Sequence, residues 1–171
     1  GISALELYRL LGISYNAAWR MKQKLMQVML ERDDGQPLSG FIELDDAYLG
    51  GERTGGKRGR GAAGKTPFVA AVETTSEGQP TRVKLSVVKG FRASEIASWS
   101  QRHLTAGSTV ISDGLACFNS VVDAGCEHDK IVCAGGRASV EEPEFYWVNT
   151  VLGNLKSALR STYHSLKPKY A

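Results

Sequence analysis

Only three cysteines occur, Cys117, Cys126 and Cys133, and no two form a C-x-x-C pair. An odd number without close spacing excludes a disulfide framework and a local zinc knuckle, and points to reduced thiols in the cytosol. No apolar run is long enough to span a membrane. No signal-peptide pattern opens the chain, and no internal repeat is visible. An excess of one charge is nearly missing as well. Lys and Arg number 21 against 18 Asp and Glu, a formal net charge of +3. That balance is compatible with a nucleic-acid partner without demanding one. What is present is 171 residues, 42% hydrophobic and 23% charged, enough for one ordinary soluble domain and a small appendage. The basic residues are unevenly spread. Arg53, Lys57, Arg58, Arg60 and Lys65 fall in one run, and Lys156, Arg160, Lys167 and Lys169 gather near the end.

Residues 3–33 carry helical signals. Ser3 followed by Glu6 makes a capping box before SALELYRLL, and Gly12 interrupts the pattern. Ser14 or Asn16 then opens a second helix, with Ala18, Met21, Leu25, Val28 and Met29 at helical spacing. Two helices joined by a short Gly-containing turn resemble a helix-turn-helix unit. In that reading Tyr15, Asn16, Arg20 and Lys22 face DNA. The plainer reading is a helical hairpin that packs on the main domain. DDGQPLSG, residues 33–40, is a turn-rich linker. Beyond it the pattern is α/β: a strand at FIELDDAYL, a hairpin from FVAAVETT and RVKLSVVKG, and a helix at RASEIASWSQRHL. There follow a short strand STVISD, a helix GLACFNSVVDAG, a strand HDKIVCA and a last long helix from Trp147.

GRGAAGKT, Gly59–Thr66, fits the phosphate-loop pattern letter for letter. The motif works only with a strand running into the first glycine and a helix starting at the lysine. Neither is predicted. The preceding strand ends about ten residues earlier, and Thr-Pro-FVAAV after Lys65 suits a strand. A flexible basic loop, whose Arg58, Arg60 and Lys65 follow a phosphate backbone, is one alternative to a nucleotide hydrolase, and a merely solvated loop is the other.

Acidic residues fall at informative places. Asp45 lies within the first strand, and Asp113 ends the strand STVISD. If those strands are neighbours, two carboxylates meet, which is costly unless a cation bridges them. Mg²⁺ prefers oxygen ligands and keeps waters for substrate. A third ligand is expected from the first turn of the last helix, where Asn149 offers a neutral oxygen. Lys156, seven residues on, lies two turns along the same face, placed to hold a phosphate. Taken singly, each Asp is equally a turn former and Asn149 a helix cap.

FIELDDAYLGG, TVISDG and WVNTVLGNLKSALRSTYH together resemble the core blocks of bacterial insertion-sequence transposases of the DDE superfamily. More narrowly they resemble the ISXO2-like branch, whose third position is commonly Asn with Lys seven residues on. The 35 residues between Asp113 and Asn149 match the spacing of that superfamily. The resemblance implies a ribonuclease-H-like mixed sheet flanked by helices over residues 35–171, C-terminally truncated, preceded by a helix-turn-helix-like segment over residues 1–34. It implies Asp45, Asp113, Asn149 and Lys156 as catalytic residues, the first three as ligands of Mg²⁺ or Mn²⁺. It implies DNA as partner, both element terminal repeats and target, bound through Tyr15, Asn16, Arg20, Arg58, Arg60, Lys65, Lys156 and Arg160. It further implies a homo-oligomer acting in the bacterial cytoplasm, at the nucleoid.

Two features depart from the pattern. Members often carry Glu a few residues after the Asn-type position, where this chain has Leu152, and the zinc ribbon that often precedes the helices is missing. The alternative is therefore a DNA-binding relic without catalysis. Glu43 projects from the same strand face as Asp45, roughly 7 Å away. It is expected either to touch a metal or its water or to pair with a basic side chain. Glu144 is a second candidate of the same kind.

Overall fold

The first strand of the α/β region reads FIELDDAYL, and its alternation decides which side chain enters which half of the core. A computed structural model describes residues 2–50, 65–131 and 143–162. The backbone forms two compact units, Gly1–Pro37 and Leu38–Ala171.

In the larger unit β1 (Phe41–Leu49) is the central strand of a five-stranded mixed sheet. It pairs antiparallel with β2 (Thr66–Thr74), which pairs antiparallel with β3 (Pro80–Val87). On its other side β1 pairs parallel with β4 (Thr109–Ser112), and β4 pairs parallel with β5 (Glu127–Lys130). The order is thus β3-β2-β1-β4-β5. A three-stranded antiparallel meander followed by parallel strands, with helices on both faces, is consistent with a ribonuclease-H-like fold.

Period-2 alternation sends Ile42 and Leu44 of β1 and Val69 and Ala71 of β2 to one face. There they meet Ile96 and Trp99 of α3 (Ala93–His103) and Phe118 and Val121 of the segment Ala116–Ala124. Ala47, Phe68, Ala70 and Val72 point to the other face, against Phe145, Val148 and Leu152. The last two lie on α4 (Tyr146–Thr162), preceded by a short 3₁₀ turn, Pro143–Phe145. β2 is covered on both faces, so its run FVAAV is apolar without alternation. On β3 only Lys84 is fully buried, whereas Val83, Leu85 and Val87 stay exposed on the α4 side.

Residues 116–124 are helical, as their pattern predicts, but the helix is 3₁₀ rather than α. Cys117 and Ser120, and Phe118 and Val121, are the buried pairs. Their spacing of three matches a helix of three residues per turn. The strand expected from His128 is short, ending at Lys130. Residues 132–134 of that expectation lie outside the described residues.

The smaller unit holds α1 (Ala4–Leu11) and α2 (Tyr15–Asp34). Ser3 Oγ accepts from the Glu6 N–H at 3.1 Å, and Ser14 Oγ from the Ala17 N–H at 3.2 Å, so each helix starts on a serine cap. Gly12 ends α1 at φ 63°, in the left-handed region that favours glycine. Of the apolar positions expected to be covered on α2, Ala18 is buried, while Met21, Leu25, Val28 and Met29 are exposed.

A polar clasp holds the start of β1 to the meander. The Glu73 carboxylate accepts from the Ser39 N–H at 2.7 Å, Thr81 Oγ1 at 2.7 Å, and Arg82 Nε at 3.2 Å and Nη2 at 2.6 Å. Burial raises its pKa, but the bonds from Arg82, Ser39 and Thr81 and the Arg82 charge outweigh it and hold the group at about 2. The clasp sits beside an irregularity in the β2–β3 register at Glu73 and Thr74.

Candidate functional site

Leu44 of β1 lies opposite Ser112, the last residue of β4. The next residue on each strand is an aspartate, Asp45 and Asp113. Parallel pairing therefore sets two carboxylates side by side, although 67 residues of chain separate them. The chain turns away directly after Asp113. Its Oδ1 accepts from the Leu115 N–H at 3.0 Å, and Gly114 takes φ 80°. The turn-forming role and the placement beside Asp45 thus coexist in one residue.

Asp46 joins the pair. One carboxylate oxygen from each of Asp45, Asp46 and Asp113 can be chosen so that all three lie within 4.8 Å of one another. The Asp46 N–H also donates to Asp45 Oδ1 at 2.8 Å. Burial and then the Asp46 charge push the Asp45 carboxyl up. Asp113 adds to this, while the Asp46 N–H and the Lys156 charge oppose it, and the result is about 7. Three half-buried carboxylates with converging oxygens form the donor set of a hard divalent cation, and such a cation would relieve their repulsion. The residues present fit that group.

The remaining expected residues of the site lie on α4. Asn149 falls in its first turn and is half-buried. Lys156 is exposed, yet close enough for its charge to act on Asp45. Gly153 lies on the same helical line between them. A Cβ there would meet open space, so this face is bare between Asn149 and Lys156. Leu152 is 4% exposed and belongs to the apolar contact between α4 and the sheet. The position where a Glu was noted as missing is a core position here.

Glu43 binds the backbone of α4. Its carboxylate is 6% exposed and accepts the Val148 N–H at 2.7 Å, with the Trp147 N–H as a second donor. Burial raises its pKa, and these two donors oppose the rise. Orphan amides in a first helical turn are satisfied by an anion at the positive end of the helix dipole. Charge-assisted bonds of this kind contribute on the order of 2 kcal/mol each. Trp147 adds a second anchor, Nε1 donating to the Gly78 carbonyl at 2.8 Å. A cavity of about 480 Å³ opens beside this junction, lined among others by Phe41, Glu43, Glu144, Tyr146 and Trp147. Glu144 is exposed at its rim and is not among the three converging acids.

Tyr15, Asn16 and Arg20 occupy the exposed N-terminal half of α2, and Arg160 is exposed in the last turn of α4. Lys65 is half-buried immediately before β2. Arg58 and Arg60 lie outside the described residues. Because a strand rather than a helix follows Lys65, the phosphate-loop geometry is denied. Asp46 was missed by the sequence reading. Its only signal was the doubled acid in ELDDAY, and strict alternation would turn the second acid away from the first.

A family model described as the ISXO2-like transposase domain matches residues 37–171. No curated protein matches the chain. Among the described residues, no helix is long and apolar enough to cross a membrane.

Proposed function

The chain belongs to the ISXO2-like transposase domain family, whose business is DNA transposition; from that premise we propose that it cuts DNA at the ends of a mobile element and joins the freed 3′-hydroxyl to target DNA. The observation that carries this reading is the convergence of Asp45, Asp46 and Asp113 just past the last paired residues of the parallel strands β1 and β4. Asp45, Asp113 and Asn149 are the proposed metal ligands, with Mg²⁺ or Mn²⁺ as the ion. Bound there, the cation supplies Lewis acidity for in-line displacement at a phosphodiester. Asn149 contributes a neutral oxygen, which suffices because Asp46 brings a third negative charge to the cluster. Lys156 holds a phosphate oxygen beside the acids, across the bare stretch at Gly153. Asp113 keeps its own carboxylate aimed by the bond from Leu115.

DNA approaches a basic surface. Lys156 and Arg160 on α4 follow the backbone near the acids, with Lys65, Arg58 and Arg60 as further phosphate contacts. On the smaller unit Tyr15, Asn16 and Arg20 are exposed as a reading helix requires. A homo-oligomer on paired ends, working in the bacterial cytoplasm, completes the proposal.

The test is cleavage and strand transfer on terminal-repeat oligonucleotides with Mg²⁺ or Mn²⁺. Activity lost in Asp113→Asn while circular dichroism stays native supports the assignment, and full activity in that variant refutes it. One observation favours a DNA-binding relic instead: the first turn of α4 carries no acid. Metal titration separates the two, since a relic binds the oligonucleotide equally well with or without divalent ion and never cuts it.

A further inference from the structure

We infer that Glu43 is a positioning residue, which clamps the first turn of α4 to β1 and so fixes Asn149 and Lys156 over the aspartates without itself holding metal. The inference rests on the transposase reading for its functional meaning and on separate geometry for the clamp. Asp45 sits two residues along β1 from Glu43 and shares its strand face. Asn149 follows Val148, whose N–H Glu43 accepts at 2.7 Å. One buried carboxylate therefore links the strand that bears the first acid to the helix that bears the third position. The link joins residues 105 apart in sequence.

The clamp acts on rotation as well as on distance. Val148 and Leu152 seat α4 on the sheet through an apolar stripe, and apolar contact alone permits sliding and rolling. Hydrogen bonds are directional, so amides of the first turn held at Glu43 fix the helix azimuth. Trp147 Nε1 on the Gly78 carbonyl is a second pin, on the far side of β2. With both in place, the turn that carries Asn149 has one setting against β1. Glu43 has its oxygen engaged by the helix, which is why its role differs from that of the three converging acids.

The experiment compares the full chain with Glu43→Ala, Glu43→Gln and Asp45→Asn by amide exchange, by Mn²⁺ line broadening in NMR spectra, and by cleavage. In Glu43→Ala the Val148 amide should lose protection. Mn²⁺ broadening of the Asn149 side-chain amide should fall, while that of the Gly114 amide persists. The cleavage rate constant should drop roughly 100-fold with the KM for DNA within about threefold, the signature of a misplaced group rather than lost binding. Glu43→Gln, which keeps one acceptor oxygen, should recover about tenfold of that loss. It also carries the test if the alanine variant fails to fold. Asp45→Asn should abolish broadening at both sites yet leave Val148 protected. Unchanged Val148 protection and Asn149 broadening in Glu43→Ala would overturn the inference. Loss of Gly114 broadening in Glu43→Ala as complete as in Asp45→Asn would also overturn it, because Glu43 would then be a ligand. If the wild-type chain shows no Mn²⁺ effect at Gly114, the metal-dependent reading fails, and the clamp stands or falls on Val148 protection alone.

Discussion

Replacing Glu73 by Gln removes one charge and changes almost no volume, so it isolates what the clasp at the start of β1 is worth. In the wild type four donors from Ser39, Thr81 and Arg82 converge on one carboxylate. Its side chain is 13% exposed, and that of Arg82 is 36% exposed. The carboxyl is held at about 2 against an ordinary 4.5. That gap corresponds to a ceiling of about 3.4 kcal/mol at neutral pH. Solvent screening of Arg82 lowers the expected value to about 2 kcal/mol. The folded-state pKa is depressed, so the contribution is fully present above about 4.5 and is lost as pH falls toward about 2. Gln keeps one acceptor but turns an NH₂ group toward donors, so the variant should lose about 2 kcal/mol at neutral pH. Urea unfolding of both chains at stepped pH measures the difference. It should shrink by more than half by about pH 3. A variant within about 0.5 kcal/mol of wild type at neutral pH, or a difference independent of pH, would refute the reasoning.

Two further outcomes are expected. Asp45→Asn should stabilise the metal-free chain in EDTA by about 2 kcal/mol near pH 8, since the raised Asp45 carboxyl penalises the fold increasingly as pH climbs from 3.8 through about 7; equal melting temperatures for the two chains would contradict this. Leu152→Glu should not enhance cleavage but should lower stability by 3 kcal/mol or more, because it buries a charge between α4 and the sheet; a chain as stable as wild type in urea would show the site to be more open than its 4% exposure indicates.

Much of the sheet was legible because period-2 alternation and β-branched runs are local signals. β1, β2 and β3 lie where FIELDDAYL, FVAAVETT and RVKLSVVKG put them. The meeting of Asp45 and Asp113 was legible only on the condition that their strands be neighbours, and the β1–β4 pairing supplies that condition. Asp46 was hidden by the same alternation that revealed Asp45. Glu43 was noticed for its strand face, but its partner was not predictable. A bond to a backbone amide 105 residues away leaves almost no mark on residue type, since any residue but proline at position 148 offers the same N–H. The 3₁₀ character of residues 116–124 was hidden for a different reason. Spacings of three occur in α-helices too, and the buried Cys117 and Val121 stand four apart as well, so the burial pattern does not separate the two helix types.

β1 is hydrogen-bonded to β2 along its whole length and to β4 over its first half, so shifting Asp45 against Asp113 by one residue would turn every side chain of the strand to the wrong layer. Asn149 belongs to no such ladder. Its helix is attached through a side-chain anchor and an oily seam. The side chain at position 149 can accordingly be exchanged, Asn for Asp, without disturbing the weave of the strands. A change of side chain there touches one helix, whereas a change of register at either aspartate would touch the whole sheet.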